Sequence, residues 1–592
     1  MTSLEEKLNS AADLIAKEDF AQAQVLLENV VAHDPKNVEA LKNLGLCYIN
    51  LDNYEFAAKT FEKLIKINKE DAKSIYYLAH CQEQIGENAL AAKNYKKVIK
   101  LREEFFDAYK KLCVLYITQG DFDSAGKLAK KALKLTQEDY QFYYFLSTVL
   151  IAKGDTKGAI EELKRALALQ PEHVQILNNL GSCCLALEKW DEAQKYFEDA
   201  YDLNSEDALT NYNLGTVFQL RKEYARALNY FNEAYTHQPS IMMLTSLAGC
   251  ALLAEDYEAG AKFYRTLVSL HPEKTNFQKS LLACLMEIGD YAQAVKIAQT
   301  LLKFNPKSDD LKGKLAHLYR LNGQYFEAMT IFEEFIKRGK ISAELYYEYG
   351  LCAFETNDLD AAKNYFKKSI SLEPENAIAH KDLGLVYSYM NLTDWAQDEL
   401  LQALELEPDN PYIIFAYATF LNQINDFEQA DIYYKKTLEN YPENPDYRAY
   451  YALNLMSLRK VDEAIEEFVH VLQIESAHVE SRFELAKIFF SRKNYDTAKA
   501  LLADILNTPN NAEIINLYAQ VELKLKNYEI ARALFEKLCE LYPANHLLLT
   551  DCAKCCLKTG KTKEAKEYAK RALEIFGDFS DALKILKEAQ DE

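Results

Sequence analysis

The sequence predicts an all-α solenoid built from repeated pairs of antiparallel helices, and three periodic patterns predict it. Similar segments return every 34 positions, a small residue occupies one fixed position of each period, and most prolines occupy another. Self-similarity at a period of roughly 20 to 50 residues is the signature of a repeat architecture. Each repeat of such a chain packs mainly on its neighbours, so no single central core is expected.

The period is set by three matching segments, residues 41–48, 177–184 and 211–218. The last two begin 34 residues apart, and the first begins four periods before the second. Extending the period predicts seventeen helix-turn-helix repeats, which begin at residues 4, 38, 72, 106, 140, 174, 208, 241, 275, 309, 343, 377, 411, 445, 479, 512 and 546. Positions within a repeat are numbered below from these first residues.

Small residues form the strongest column of the alignment of repeats. Position 20 is alanine in sixteen repeats and glycine (Gly260) in one. A small residue there allows the two helices of a repeat to approach closely. Position 8 is small as well, and its exceptions are Cys113, Ser147 and Leu282.

Prolines and glycines place the ends of the helices. Nine of the twelve prolines fall at position 32, Pro411 and Pro445 are the first residues of their repeats, and Pro509 lies three residues before a repeat start. Proline lacks an amide donor and ends helices, so it marks the connection between repeats. Glycines in the middle of several repeats predict the turn between the two helices: Gly86, Gly120, Gly154, Gly289, Gly323 and Gly560.

This pattern resembles the tetratricopeptide repeat over residues 4–579. The resemblance implies a right-handed superhelix in which the first helix of each repeat lines a concave groove. We expect a continuous array over residues 4–577, followed by a capping helix and tail over residues 578–592. The apolar face of that last helix is predicted to contain Phe579, Ala582, Leu583, Leu586 and Ala589.

Asparagines are the first candidates for contacts with a partner. Asn43, Asn179 and Asn213 fall at position 6, and Asn178 falls at position 5. A side-chain amide both donates and accepts, so it can bind a peptide backbone without reading its side chains. Asn179 and Asn213 are one repeat apart, which resembles the asparagine ladder in the superhelix of O-linked N-acetylglucosamine transferase. The alternative is hydrogen bonding inside the repeats.

Aromatic residues at predicted groove positions are the second candidates. Tyrosine offers contact area and a polar tip at little entropic cost, which suits recognition of a partner. Tyr212 and Tyr347 join the four asparagines as predicted partner-binding residues. The whole aromatic set is Tyr76, Tyr77, Tyr144, Phe145, Tyr212, Tyr347, Phe354, Tyr389, Tyr412, Phe415, Tyr450, Phe483 and Phe490. The alternative is packing between helices.

The cysteines do not predict a metal or redox site. Seven of the twelve occupy position 10: Cys47, Cys81, Cys183, Cys250, Cys284, Cys352 and Cys555. Recurrence at a fixed position indicates one small apolar residue per repeat. Cys552 and Cys555 have a CxxC spacing, but a single pair without a second pair or a histidine is a weak zinc signal. No metal, cofactor or catalytic residue is predicted, and the repeats leave no segment for a catalytic domain.

The composition narrows the choice of partner. A net charge of -21 disfavours nucleic acid and anionic membranes. The residues at the start of the chain lack the pattern of a secretory signal, and no apolar run approaches the roughly 18 residues that span a bilayer. We therefore expect the protein to be cytoplasmic. A chaperone-tail clamp is rejected, because Leu46 follows Lys42 where that clamp needs asparagine.

The predicted function is that of a non-enzymatic scaffold or adaptor, which binds partner proteins or extended peptide segments in its groove. Two alternatives stay open at this point. The chain could be a targeting or specificity subunit of a separate enzyme such as a glycosyltransferase, or a self-assembling structural subunit. The sequence predicts neither the partner nor the oligomeric state.

Overall fold

The computed structural model describes residues 4–508 and 512–591, which form 35 α-helices and no strand. The first three residues of the chain and the boundary proline Pro509 lie outside the described residues. The chain divides into two compact units, Met1–Leu301 and Leu302–Glu592, which are called unit 1 and unit 2 below.

The helices of unit 1 are α1 (Leu4–Ala16), α2 (Phe20–His33), α3 (Val38–Asn50), α4 (Tyr54–Ile67), α5 (Ala72–Gln84), α6 (Asn88–Leu101), α7 (Phe106–Thr118), α8 (Phe122–Leu133), α9 (Tyr140–Ala152), α10 (Thr156–Leu169), α11 (Val174–Ala186), α12 (Trp190–Leu203), α13 (Ala208–Leu220), α14 (Tyr224–His237), α15 (Ile241–Leu253), α16 (Tyr257–Leu270) and α17 (Thr275–Glu287). The boundary between the units falls inside α18 (Tyr291–Phe304).

The helices of unit 2 are α19 (Asp309–Leu321), α20 (Tyr325–Lys337), α21 (Ala343–Glu355), α22 (Leu359–Leu372), α23 (Ala377–Tyr389), α24 (Thr393–Leu406), α25 (Pro411–Gln423), α26 (Phe427–Asn440), α27 (Pro445–Ser457), α28 (Val461–Ile474), α29 (Val479–Ser491), α30 (Tyr495–Ala503), α31 (Ala512–Lys524), α32 (Tyr528–Leu541), α33 (His546–Lys558), α34 (Thr562–Ile575) and α35 (Ser580–Asp591).

Helix pairs repeat along both units. Each odd-numbered helix from α1 to α33 begins at a residue where the period of the sequence places the start of a repeat. First helices of neighbouring repeats also contact each other, as α11 and α13 do in unit 1 and α23 and α25 do in unit 2. We call the side formed by these helices the first-helix face. The predicted all-α array of helix pairs is confirmed.

The turn inside each repeat has a fixed backbone conformation. The residue at position 15 has a positive φ in every repeat, from +57° at Asp52 to +83° at Gly86. Glycine reaches this region without steric penalty, and asparagine reaches it more easily than most other residues. The six mid-repeat glycines of the sequence all occupy this position. The other repeats make the same turn without glycine, for example at Asn357 and Arg459.

The contact between the two helices of a repeat explains the small-residue columns. A Cβ added to Gly181 would lie 2.4 Å from the ring of Phe197, sixteen residues later, and one added to Gly215 would lie 2.7 Å from Phe231. Position 8 is therefore small because position 24 carries a large buried side chain. The exceptions fit the same rule: Leu282 and Cys113 are followed, sixteen residues later, by Ala298 and Ala129, and all four are buried.

The cysteine column at position 10 lies in the interior, as the packing interpretation requires. Its seven members are buried. Burial raises the pKa of the Cys47 thiol to about 11 and that of Cys81 to about 12, so both are protonated near neutral pH. These thiols therefore behave as small apolar side chains.

The last helix, α35, packs on α33 and α34. Its buried residues are Ala582, Ile585 and Ala589, whereas Leu583 is 46% exposed. The prediction of Leu583 on the covered face was wrong, because Ile585 rather than Leu583 follows Ala582 onto that face. Within the described residues, no helix combines the length and the apolar character that crossing a membrane requires.

Candidate functional site

The structure corrects the predicted site at Asn178, because this residue lies in the interior of unit 1. The residue is 2% exposed. Its Nδ2 donates to Thr210 Oγ1 at 2.7 Å and to Asp207 Oδ2 at 3.2 Å, and its Oδ1 accepts from Asn213 Nδ2 at 3.2 Å. Its hydrogen-bonding capacity is used within the chain, so this amide connects α11 to α13 and does not face a peptide.

The other predicted residues of unit 1 are half-buried: Asn43, Asn179, Tyr212 and Asn213. Asn213 donates to Asn178, and the Tyr212 hydroxyl accepts from Ser246 Oγ at 3.3 Å. The ring of Tyr212 also packs 5.5 Å from that of Phe231. Tyr212 and Asn213 therefore have internal partners, and the ladder of Asn179 and Asn213 stays a prediction.

In unit 2, a pocket opens on the first-helix face between α19 and α21. It has a volume of about 560 Å³. The pocket exists because position 5 of this repeat is Gly313, whereas every other repeat has a side chain at that position. A Cβ added to Gly313 would have its nearest contact at 3.9 Å, on Phe335. The apolar lining is Phe332, Phe335, Ile341 and Leu345.

Charged side chains surround the mouth of this Gly313 pocket. The His317 ring lies 3.1 Å from Glu348 Oε1, and Arg320 donates to both oxygens of the same carboxylate. Burial acts to raise the pKa of Glu348, but the hydrogen bonds from His317 and Arg320 outweigh it, and the pKa is lowered. Glu348 is therefore ionised at neutral pH beside an apolar pocket. Arg320 is its counter-ion, and the pocket itself suits an apolar side chain.

Tyr347, the remaining predicted residue, lies next to this pocket on α21. Its hydroxyl donates to Asp382 Oδ2 at 2.7 Å, and burial together with the Asp382 charge raises its pKa. The Tyr347 ring packs 5.7 Å from that of Phe366. Tyr347 thus belongs to the first-helix face as predicted by its position, but its hydroxyl already has a partner within the chain.

A cluster of aromatic rings lies further along the same face, on α25 and α27. The ring of Phe415 lies 4.5 Å from that of Tyr447 and 5.3 Å, edge-on, from that of Tyr450. Tyr412 is 61% exposed and Tyr450 is 48% exposed. We call Tyr412, Phe415, Tyr447 and Tyr450 the aromatic surface. Phe415 packs on Tyr447 and Tyr450, while the exposed rings of Tyr412 and Tyr450 leave apolar area open, as recognition sites do.

Carboxylates predominate between and beside these two features. At positions 2 and 6 of the six repeats that begin with α19 to α29, seven residues are acidic and one, Lys314, is basic. The acidic residues are Asp310, Glu344, Glu348, Asp382, Asp446, Glu480 and Glu484. The first-helix face of unit 2 therefore combines exposed rings, a pocket and negative charge.

Sequence reasoning identified part of this surface. Tyr412, Phe415 and Tyr450 are among the predicted groove aromatics, but the residues predicted to bind a partner were mainly the asparagines of unit 1. Tyr447 was missed because it occupies position 3. The Gly313 pocket was missed although a signal existed, since position 5 is glycine in this repeat and in no other.

Comparison with protein families identifies the architecture. Profiles described as tetratricopeptide repeat match residues 14–80, 251–318, 455–521 and 522–589, residues 172–240, and residues 343–376. Together they cover more than half of the chain. The chain belongs to the tetratricopeptide-repeat family. Tetratricopeptide-repeat arrays are protein-interaction scaffolds, and this chain is one of them.

A further profile, described as anaphase-promoting complex, cyclosome, subunit 3, matches residues 118–200 of this tetratricopeptide-repeat chain. This stretch lies within unit 1 and includes the complete helices α8 to α11. No curated protein matches the sequence significantly.

Many solved structures share the repeat. YrrB, described as a TPR protein with an unusual peptide-binding site, is 27% identical over 31% of this chain and 96% of its own, with a TM-score of 0.28. Pseudomonas aeruginosa PilF is 22% identical over 36% of this chain and 99% of its own, with a TM-score of 0.31. A chain of the APC/C hetero-tetramer Cut9–Hcn1 is 15% identical over 88% of this chain and 96% of its own, with a TM-score of 0.32. These TM-scores are too low to support an inference about function.

Proposed function

We propose that this chain is a non-enzymatic adaptor and that the first-helix face of unit 2 binds an extended segment of a partner protein. The observation that carries the proposal is the row of features on that one face, the Gly313 pocket on α19 and α21 and the aromatic surface on α25 and α27. Exposed tyrosines and an apolar pocket on one face resemble the anchor sites that supply most of the binding energy in protein interfaces.

The chemistry of the face specifies the class of segment. The pocket takes one aliphatic or aromatic side chain, and the aromatic surface takes another or a stacked cation. The carboxylates at positions 2 and 6 favour lysine or arginine between these anchors. The partner segment is therefore an extended peptide with two apolar anchors and a net positive charge.

The absence of catalysis is part of the proposal. What supports it is the tiling of residues 4–577 by repeats, which leaves no segment for a separate catalytic domain. The self-assembling alternative makes a different prediction, a mass that rises with concentration in light scattering. On the adaptor proposal, the mass stays constant over that concentration range.

Variants of the aromatic surface and the pocket test the proposal. Peptides selected from a random display library on the full chain supply the probes, and fluorescence polarisation measures their affinity. Tyr412→Ala with Tyr450→Ala is expected to raise the Kd about 30-fold, because the loss of one anchor site typically costs about 2 kcal/mol. Gly313→Phe is expected to weaken binding to a similar degree by filling the pocket, since Phe415 and Phe483 occupy the same position in other repeats.

Two further variants make the result specific. Phe326→Ala removes a 71% exposed ring from the second helix α20 and is expected to leave the Kd unchanged. Asn179→Ala with Asn213→Ala tests the asparagine ladder of unit 1 as the rival site. If that pair weakens binding while the unit 2 variants do not, the proposed surface is wrong.

A further inference from the structure

Three cysteines of unit 2 depart from the packing column of the other repeats. Cys539 occupies position 28, where each of the other sixteen repeats has valine, isoleucine, leucine or tyrosine. Cys552 occupies position 7, where every repeat after the first otherwise has leucine or tyrosine. Cys556 occupies position 11, which also holds large apolar residues in most repeats. Three large side chains are thus replaced by thiols at the junction between the last two repeats.

The fold brings these thiols together. Cys552 and Cys556 are four residues apart and share one face of α33, while Glu536 and Cys539 are three residues apart on α32. The ligand atoms of Glu536, Cys552 and Cys556 lie within 4.8 Å of one another. Cys539 lies next to Cys552 across the contact between the two helices. Helices α32 and α33 therefore contribute two potential ligands each to one small volume.

The surroundings of the cluster combine burial with one open side. Cys552 and Cys556 are fully buried and Cys539 is 3% exposed, whereas the Glu536 side chain is 31% exposed. Glu536 Oε1 accepts from Arg532 Nη1 at 2.7 Å, and Glu564 Oε2 lies 4.0 Å from Cys556 Sγ. The partly exposed carboxylates give an ion a way in, and Arg532 supplies a positive charge against the anionic ligand set.

We propose that Cys539, Cys552, Cys556 and Glu536 form a tetrahedral site for a thiophilic divalent cation, with zinc as the fitting ion. Zinc binds thiolate and carboxylate ligands in fours, at about 2.3 Å from sulfur and 2.0 to 2.2 Å from oxygen. Ligands at those distances in a tetrahedron are roughly 3.5 to 3.8 Å apart, so Glu536, Cys552 and Cys556 need only small side-chain movements, and Cys539 turns toward them as the fourth ligand. Each ligating thiol releases its proton as the ion binds.

The location gives the ion a structural role. Among the described residues, α33 packs on α32 of the preceding repeat, and α33 and α34 pack on α35. An ion held by α32 and α33 would join the last two repeats. Metal binding of this kind adds directly to the free energy of folding of the segments it joins.

Metal content and cobalt spectroscopy test the proposal on the full chain. The reduced protein is stripped with a chelator, and then Zn²⁺ or Co²⁺ is added. The expected result is about one zinc ion per chain by mass spectrometry, together with thiolate-to-cobalt charge-transfer absorption. Hydrogen exchange in α32 and α33 is expected to slow when zinc binds, and exchange in α23 to stay unchanged.

Alanine variants assign the ligands. Cys552→Ala and Cys556→Ala are each expected to weaken metal binding at least tenfold and to abolish the charge-transfer band. Cys555→Ala is the matched control, because Cys555 is equally buried on the same helix but belongs to the position 10 column; it is expected to bind metal as the parent does. Glu536→Gln, which is near the surface, retains the packing and is expected to weaken binding without unfolding α32.

Three results would overturn the proposal. They are the absence of stoichiometric metal in the reduced chain, metal binding that survives Cys552→Ala and Cys556→Ala, and a Cys539–Cys552 disulfide as the form present in the protein prepared without reductant. The last result would assign the cluster to thiol oxidation instead.

Discussion

Gly181→Leu is expected to destabilise the sixth repeat by about 3 kcal/mol, because the new side chain has no space. A Cβ on Gly181 would already lie 2.4 Å from the fully buried ring of Phe197. Phe197→Ala alone is expected to destabilise by about 4 kcal/mol through the cavity that it leaves. Hydrogen exchange of the amides in α11 and α12 measures both effects locally, since long repeat arrays do not unfold in two states.

The double variant distinguishes this account from a general intolerance of the site. Gly181→Leu with Phe197→Ala reproduces the pair that the ninth repeat carries at Leu282 and Ala298. We expect it to be about as stable as Phe197→Ala alone, rather than destabilised by the sum of both losses, with a coupling on the order of 3 kcal/mol. If the two losses simply add, the helices are not held by complementary volumes at positions 8 and 24.

Lys499→Met is expected to destabilise the sixteenth repeat by about 3 kcal/mol at neutral pH. Glu522 is fully buried, and its Oε1 lies 2.8 Å from Lys499 Nζ. Asn527 Nδ2 donates to the other carboxylate oxygen at 2.6 Å. Removing the ammonium leaves a buried charge with too few partners. Hydrogen exchange in α31 measures the loss.

The pH dependence gives a second check of the same ion pair. Burial acts to raise the pKa of Glu522, but Lys499, Asn527 and Tyr518 outweigh it, and the pKa is held below its ordinary value of 4.5. A carboxyl group whose pKa is lower in the folded state stabilises the fold at pH values above its unfolded-state pKa. That stabilisation is lost as the pH falls through the folded-state pKa. The parent protein therefore loses the contribution of this ion pair below about pH 4.5, while Lys499→Met has none to lose. The difference in free energy of unfolding between the two proteins shrinks as a result.

A double variant supplies the control for this prediction. Lys499→Met with Glu522→Leu places at position 11 the residue that other repeats carry at Leu421 and Leu455. Replacing a buried ion pair by apolar residues of similar volume is often close to neutral. A double variant as unstable as Lys499→Met would contradict the assignment of the loss to an unpaired carboxylate.

The repeat boundaries could be predicted because each structural demand recurs many times. In repeat after repeat, a small residue at position 20 indicates the contact between the two helices, and proline at position 32 indicates the end of the second helix. The turn was harder to predict, since only six repeats use glycine at position 15 and the others adopt the same φ with residues such as Lys222 and Glu188. Those residues tolerate the conformation because the two helices impose it.

The proposed binding surface could be predicted only in part, because position alone does not decide what a side chain contacts. Asn178 and Asn213 occupy groove positions by number, yet they bond to each other across two repeats. Gly313 has no side chain, and the space this leaves becomes a pocket only because neighbouring rings line it. The three cysteines come from three different columns and two helices, so no single column of the sequence brings them together.

Photo-crosslinking of a bound peptide tests the central claim most directly. A selected peptide that carries a benzophenone at an apolar anchor is irradiated with the full chain, and mass spectrometry locates the attachment. We predict attachment to the first helices of unit 2, within reach of the Gly313 pocket on α19 and α21 or of Tyr412 and Tyr450 on α25 and α27. Attachment to second helices, or to α11 and α13 of unit 1, would contradict the assignment of the binding surface.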